Sequence, residues 1–272
     1  MKNMKGRFEL VSALMGETLV RKKGQRRAAA EQIRITPELN VIKIGGHAAI
    51  DYGKKVMHPL LTEIGELSKK HQILLVTGGG GRVRHIMDVG MDLGMPTGVL
   101  AELSAKISEQ NAIMVSILLS RYNGVRIHTG DLLELPSLLK LKMLPVMHGT
   151  PPYGLYEHPA KKGGSVPPHR TDTGAFLIAE VMGAKNCIIG KNVNGLYREN
   201  PQKNPDAEFI AKISASELLE MNLEDMVIEP MVVELLRDAT HIREVKIVNC
   251  HVKGNIGKAI QNKKVGTVIT SG

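Results

Sequence analysis

The sequence predicts an α/β protein, a three-layer αβα sandwich around a central, mostly parallel sheet. Short apolar runs alternate with longer stretches of helical period, two of the runs end directly in glycine clusters, and 272 residues suffice to bury a sheet on both faces. Strand-like runs fall at 40–44, 73–77, 125–128, 143–147, 186–189, 245–249 and 267–270. Between them, stretches 50–70, 82–93, 101–122, 173–183, 229–240 and 255–261 carry apolar residues three and four apart. Parallel strands need such crossovers. Two long connections, 148–171 and 191–212, interrupt the rhythm with Gly, Pro, His and Asn-Pro pairs, and long irregular segments in compact α/β domains usually carry function. No linker divides the chain, so one continuous sheet is expected over 31–272, with an acceptor half to about 180 and a second half beyond it.

Composition narrows the function classes. No apolar run approaches the ~20 residues that a membrane-spanning helix needs, and no cleavage site follows the basic N-terminus. A cytoplasmic address without membrane contact is expected. The net charge of +9 is uneven: residues 1–30 carry +6 and the rest only +3. The excess is an N-terminal arm, either solvated or docked on a neighbouring subunit, and not a basic face. Aromatic residues make up 3% of the chain and Trp is absent, which leaves no stacking platform for single strands and argues against nucleic acid. Cys187 and Cys250 sit in apolar runs without a Cys-x-x-Cys pair and read as core residues.

Four segments carry chemistry. In Val41-Ile-Lys-Ile-Gly-Gly46 a buried strand meets paired glycines, so the backbone at Gly45 and Gly46 can approach a ligand while Lys43 reaches a phosphate beyond the strand end. Val76-Thr-Gly-Gly-Gly-Gly-Arg-Val-Arg-His85 runs from a strand through Gly78, Gly79 and Gly80 into a helix, where open N–H groups and Arg82 and Arg84 favour anions. Neither a Walker P-loop nor a dinucleotide fingerprint is present. In Pro167-Pro-His-Arg-Thr-Asp-Thr-Gly174, Thr171 or Asp172 can cap the following helix, and Asp172 can also orient lysines or a metal-bound water at a reacting phosphoryl group. Lys191-Asn-Val-Asn-Gly-Leu-Tyr-Arg-Glu-Asn-Pro201 places Lys191 where a strand ends, and a turn at Asn194-Gly195 follows.

In this order and spacing the four segments resemble the amino acid kinase superfamily, which includes uridylate kinases. That resemblance implies that Lys43 and Lys191 neutralise transferring phosphates of Mg-ATP, and that Asn192, Asn194, Tyr197, Asn200 and Pro201 belong to the loop that holds the nucleoside. Over roughly 30–272 the chain is more similar still to the molybdenum storage protein family. The pieces that carry this likeness are Thr77-Gly-x-Gly-x-Arg-x-Arg-His85, Asp92-Leu-Gly-Met-Pro-Thr-Gly-Val-Leu-Ala101, Gln110-Asn111, Pro151-Pro-Tyr153, the Pro167–Phe176 stretch and Arg243-Glu-Val-Lys-Ile-Val-Asn249. The stretch around Ser108-Glu-Gln-Asn111 lacks the Gly-Asp pair that uridylate kinases use on the acceptor.

The storage resemblance implies an ATP-binding subunit of a closed, hexameric cage, homomeric or shared with a related subunit. Slow ATP hydrolysis would load molybdate or tungstate as oxide clusters, held by His128, His148, Glu157, His158 and His169. Each histidine taken singly also reads as an ordinary solvated or hydrogen-bonded side chain. The alternative is a kinase for a nucleoside monophosphate or another small acceptor.

Overall fold

The computed structural model describes residues 32–150, 154–160, 163–201, 203–223 and 226–272. The basic arm at 1–30 and Pro151-Pro-Tyr153 lie outside the described residues. Within Arg34–Gly272 the elements run β1 (Leu39–Ile44), α1 (Lys54–Ser68), β2 (Gln72–Thr77), α2 (Gly81–Asp92), α3 (Thr97–Leu118), β3 (Gly124–Arg126), α4 (Leu135–Lys140), β4 (Leu144–His148), α5 (Thr171–Met182) and β5 (Asn186–Lys191). There follow β6 (Leu196–Tyr197), β7 (Phe209–Ile210), β8 (Lys212–Ser214), α6 (Ala215–Glu220), α7 (Pro230–Asp238), β9 (Glu244–Asn249), α8 (Asn255–Ile260) and β10 (Thr267–Thr270).

Every residue of β1 is buried, the mark of a central strand covered on both faces. Its side chains alternate: Leu39 and Val41 join a core with Phe176 and Ala179 of α5 and Val232 of α7, while Ile42 and Ile44 join another with Leu60 and Ile64 of α1 and Ala259 of α8. Strand β2 divides the same way, Leu74 and Val76 against Ile73 and Leu75. These two cores are the outer interfaces of the expected three layers. The eight-stranded sheet has the order β3-β4-β2-β1-β5-β9-β10-β8, parallel throughout except where β10 runs antiparallel to β9. No helix among the described residues is long and apolar enough to cross a membrane.

Parity places the lysines. Lys43 follows Leu39 and Val41, and Lys191 follows Cys187 and Ile189, all on the α5 face. Because β1 pairs with β5 so that Lys43 lies opposite Ile189, the two lysines emerge side by side at the same edge. At the opposite edge, a buried polar row crosses three strands: Asn186 Nδ2 donates to Asn40 Oδ1 at 2.8 Å, and Lys246 Nζ donates to Asn186 Oδ1 at 2.5 Å and to the carbonyl of Ala259 at 3.2 Å. A one-residue slip would move these groups into apolar layers, so the row fixes register.

Several expectations need correction. Strand β3 ends at Arg126, and His128 lies outside it, its backbone N–H donating 2.8 Å to Asp131 Oδ2 as a 3-10 turn begins. The connection after Lys191 is not irregular throughout, since β6 and β7 form an antiparallel ribbon within it. Strand β8 and the six-residue helices α4 and α6 were not expected. They are too short to show a period; α6 is held instead by a reciprocal Ser214/Glu217 capping box.

Replacing Asn186 with Ala removes the shared centre of the polar row and leaves Lys246 and Asn40 short of a partner. The variant should lose about 1–3 kcal/mol, the usual cost of stranding a buried polar group, read as a lower urea midpoint at unchanged slope.

Candidate functional site

The C-terminal ends of β1, β2 and β5 open onto a cleft of about 650 Å³, the edge at which parallel α/β sheets bind ligands. At its floor Asp172, the second residue of α5, is pinned between two ammonium groups: Lys43 Nζ lies 2.6 Å from Oδ1 and Lys191 Nζ 2.6 Å from Oδ2. The three side chains are 3–15% exposed, so this is a buried charge triad with one net positive charge. Burial works against the charge on Asp172, but Lys191 and Lys43 overcome it and hold the carboxyl well below its ordinary range. Burial likewise pushes the Lys191 ammonium down, with Asp172 offsetting part of the shift and Lys43 adding to it.

Neither Thr171 nor Asp172 caps α5, contrary to the sequence expectation. The N-cap position is Arg170, which makes no side-chain cap. The role falls to Glu229, just before α7, whose carboxylate accepts from Asp172 N at 3.0 Å, Thr173 N at 2.9 Å and Thr173 Oγ1 at 2.6 Å. A distant carboxylate thus satisfies the helix's orphan N–H groups and faces its positive end. Asp172 is thereby free to turn its side chain to the lysines. Nothing near Glu229 in the chain marks this role: Glu229-Pro230 reads only as a helix start.

The glycine segments meet backbone to backbone. A Cβ on Gly46 would fall 2.2 Å from Gly80 N, and Gly78 N donates 2.9 Å to the carbonyl of Ile44, so the two loops form one wall. The start of α2 is not wholly open to anions, because Gly81 N already donates to Asp51 Oδ2 at 2.8 Å. Arg82 does not line the cleft. It reaches across to Asn111 Oδ1 and Gln110 Oε1 on α3, while Asn111 Nδ2 holds the carbonyl of Gly78 at 2.6 Å. The arginines on the cleft wall are Arg84 and Arg170. Sequence reading quoted Asn111 only as part of a motif and missed it as the staple of the glycine loop.

Gly45, Gly46, Gly78, Gly79 and Gly80 line the cleft, as do Asn192, Tyr197, Asn200 and Pro201. Asn194 is not on that wall; its Oδ1 accepts from Asn249 Nδ2 at 2.9 Å and ties the loop to the end of β9. Asn192 Nδ2 donates to Tyr52 Oη at 3.3 Å, and Tyr52 stacks edge-on against His251, their centroids 4.6 Å apart.

The expected metal-binding residues divide into two groups. His128 and His148 lie around Glu109 of α3: His128 Nδ1 is 3.4 Å from Glu109 Oε1, which also pairs with Arg126. Burial keeps His148 below the ordinary imidazole range, and its Nδ1 has no hydrogen-bond partner among the described residues. Burial also opposes the charge on Glu109, but Arg126 and Lys106 hold its carboxyl low. Glu157, His158 and His169 form the second group, with one donor atom from each within 4.8 Å of the others. Sequence reading missed Glu109, whose place at the centre of the first group depends on α3 lying over β3 and β4.

A buried lysine–aspartate–lysine triad thus lies beneath crossed glycine loops at the strand ends of an α/β sheet. The amino acid kinase family model matches residues 38–249, and the chain belongs to that family. It is 42% identical over 244 residues to molybdenum storage protein subunit beta of Azotobacter vinelandii, covering 90% of each chain. It is 31% identical over 207 residues to the uridylate kinase of Methanocaldococcus jannaschii, covering 73% of this chain and 83% of that one. The crystal structure of uridylate kinase from Archaeoglobus fulgidus superposes with a TM-score of 0.65 at 23% identity, covering 85% of this chain and all of that one, a likeness of fold.

Asp172→Asn leaves two buried ammonium groups without an anion and should destabilise by about 3–5 kcal/mol at neutral pH. Because Asp172 is depressed in the fold, its contribution is full above the ordinary aspartate value of ~3.9 and is lost as the pH falls below it. Urea midpoints measured from pH 7 down to 3 should therefore fall less steeply for the variant than for the parent.

Proposed function

We propose that the chain is an ATP-binding subunit for storing molybdate or tungstate, with slow ATP hydrolysis driving the loading. The observation that carries the phosphate part is the Lys43–Asp172–Lys191 triad. The cargo part rests on the 42% identity to a molybdenum storage protein subunit. The cleft suits a polyphosphate: two ammonium groups converge on one carboxylate, Arg84 stands on the wall, and the crossed glycines admit close backbone approach. Bound ATP would supply the reacting phosphoryl group. Lys43 and Lys191 would keep one N–H each on Asp172 and offer the others to its phosphate oxygens, so that Asp172 holds their ammonium groups in place. Tyr197, Asn200 and Pro201 would border the nucleoside.

Among the described residues the carboxylates on the cleft are Asp172, Glu199 and Glu229, and Glu229 is committed to α5. Magnesium would accordingly rely mainly on phosphate oxygens and water, with Asp172 or Glu199 as protein ligand. His128 and His148, beside Arg126, would meet oxyanion cargo. Assembly with further subunits is supported by α3, where Ile113, Met114, Ile117 and Leu118 are 43–68% exposed along one face.

A second reading, a small-acceptor kinase, is favoured by one feature: the cleft continues past Asp172 to Arg84, Ser104 and Ser108, leaving room for an acceptor.

Lys43→Ala should lower ATP hydrolysis about 10²–10³-fold, the usual cost of one preorganised donor, in protein that still folds because Asp172 keeps Lys191 as its partner. Hydrolysis at the parental rate would remove Lys43 from this role. Metal per chain after expression with molybdate or tungstate, with and without ATP, separates the readings. Storage requires many equivalents; about one or fewer, with labelled phosphate passing to UMP, would establish the kinase instead.

A further inference from the structure

Glu157, His158 and His169 carry chemistry of their own. Glu157 and His158 directly follow a 3-10 turn at Gly154–Tyr156, and that turn is seated on the first turn of α3. A Cβ on Gly98 would fall 2.1 Å from the Leu155 carbonyl oxygen, so only glycine allows this approach. His169 comes from the segment that leads into α5, three residues before Asp172, and it lines the cleft. Two separately anchored segments therefore converge on one point.

There Glu157 Oε1 lies 2.8 Å from His169 Nδ1 and 3.7 Å from His158 Nε2, and the two imidazole rings stand edge to face with centroids 4.7 Å apart. Glu157 and His169 are 8% and 7% exposed, while the His158 side chain is 54% exposed.

We infer that Glu157, His158 and His169 form a site for a single divalent transition-metal cation on the cleft wall. The family resemblance assigns these residues to oxyanion cargo, but the buried carboxylate at their centre is a cation ligand. The donor types decide which cation. Two imidazoles with one carboxylate suit Zn²⁺, Co²⁺ or Ni²⁺, whereas Mg²⁺ and Ca²⁺ take oxygen ligands and waters.

The geometry is one step from coordination. The three donors lie within 4.8 Å of one another, and bonds of ~2.0–2.2 Å to one ion draw such donors closer together. His158, half in solvent, is the member placed to close the gap, while Glu157 and His169 are fixed by burial. Three protein ligands leave at least one position open, and because His169 lines the cleft, that position is available to water or to an oxygen of a cleft ligand.

The test uses the untagged full-length chain, stripped with chelator and free of ATP and molybdate, titrated with Co²⁺ by calorimetry and by its visible ligand-field spectrum. One equivalent is expected per chain, retained in excess Mg²⁺. Glu157→Gln and His158→Ala should each abolish that equivalent and its bands. His158 is exposed enough that its variant should keep the parental melting temperature, so a loss of binding there is not a loss of fold. The inference is overturned if no saturable Co²⁺ binding occurs, if the equivalent survives in both variants, or if His158→Ala lowers tungstate uptake while Co²⁺ binds nowhere. Because neither ATP nor oxyanion is present, the result is independent of the storage reading.

Discussion

Two ammonium groups cannot be buried together unless an anion lies between them, and the cleft end of this protein is organised around that requirement. Desolvating charges costs several kcal/mol each, recovered only with close geometry and full hydrogen bonding. Asp172 meets the condition by contacting both lysines at 2.6 Å. It can do so only because strand parity and the β1–β5 register bring Lys43 and Lys191 out on the same face, and because α5 begins directly above them. That beginning is in turn held by Glu229. The charged side chains at the floor therefore depend on one another: without Glu229 the first turn of α5 loses its acceptors, and without Asp172 the lysines lose their anion.

The glycines impose the second constraint, one of distance. Where Gly46 meets Gly80, the two loops approach more closely than any Cβ permits. Their crossing shapes a wall made of backbone, which offers oriented dipoles in place of flexible side chains. Asn111 and Asp51 brace that wall from either side, by the Gly78 carbonyl and the Gly81 N–H. A cleft so built is rigid before any ligand arrives, and rigid donors stabilise developing charge without reorganising.

Which parts of this were legible in the sequence follows from the range of each signal. Apolar runs and helical periods are local, so the central strands and long helices could be read to within a few residues. Strand ends are local too, so Lys43, Lys191 and the glycines could be set at the ends of apolar runs, while the β1–β5 register that brings those ends to one sheet edge is not local. Glu229, Asp51 and Asn111 act across 57, 30 and 33 residues on the backbone they hold, and nothing near them in the chain marks that reach. Arg82 shows the converse failure. Beside four glycines it reads as a phosphate ligand, yet about half a helical turn separates it from Arg84, so that Arg82 faces α3 and Arg84 the cleft. The two histidine groups were likewise indistinguishable until the fold placed Glu109 in one and Glu157 in the other.

Basic charge alone does not make an anion site, and the opposite end of the sheet shows why. A cavity of about 580 Å³ there is lined by Lys69, Lys70, Lys142 and Lys185, outwardly a stronger anion trap than the cleft of about 650 Å³. Those lysines sit just past the C-terminal ends of α1, α4 and α5, where cations answer the negative ends of helix dipoles and unpaired carbonyls. Lys69 and Lys185 are further paired with Glu66 and Glu38 at 2.7 and 2.9 Å. An anion entering that cavity would meet helix C-termini, that of α8 at Ile260 among them. At the cleft the polarity is reversed: strand ends and the beginnings of α2 and α5 face the space, and the lysines are buried, braced and aimed at one point. The direction in which the backbone dipoles run, more than the count of cations, makes the cleft the better suited of the two cavities to an anion.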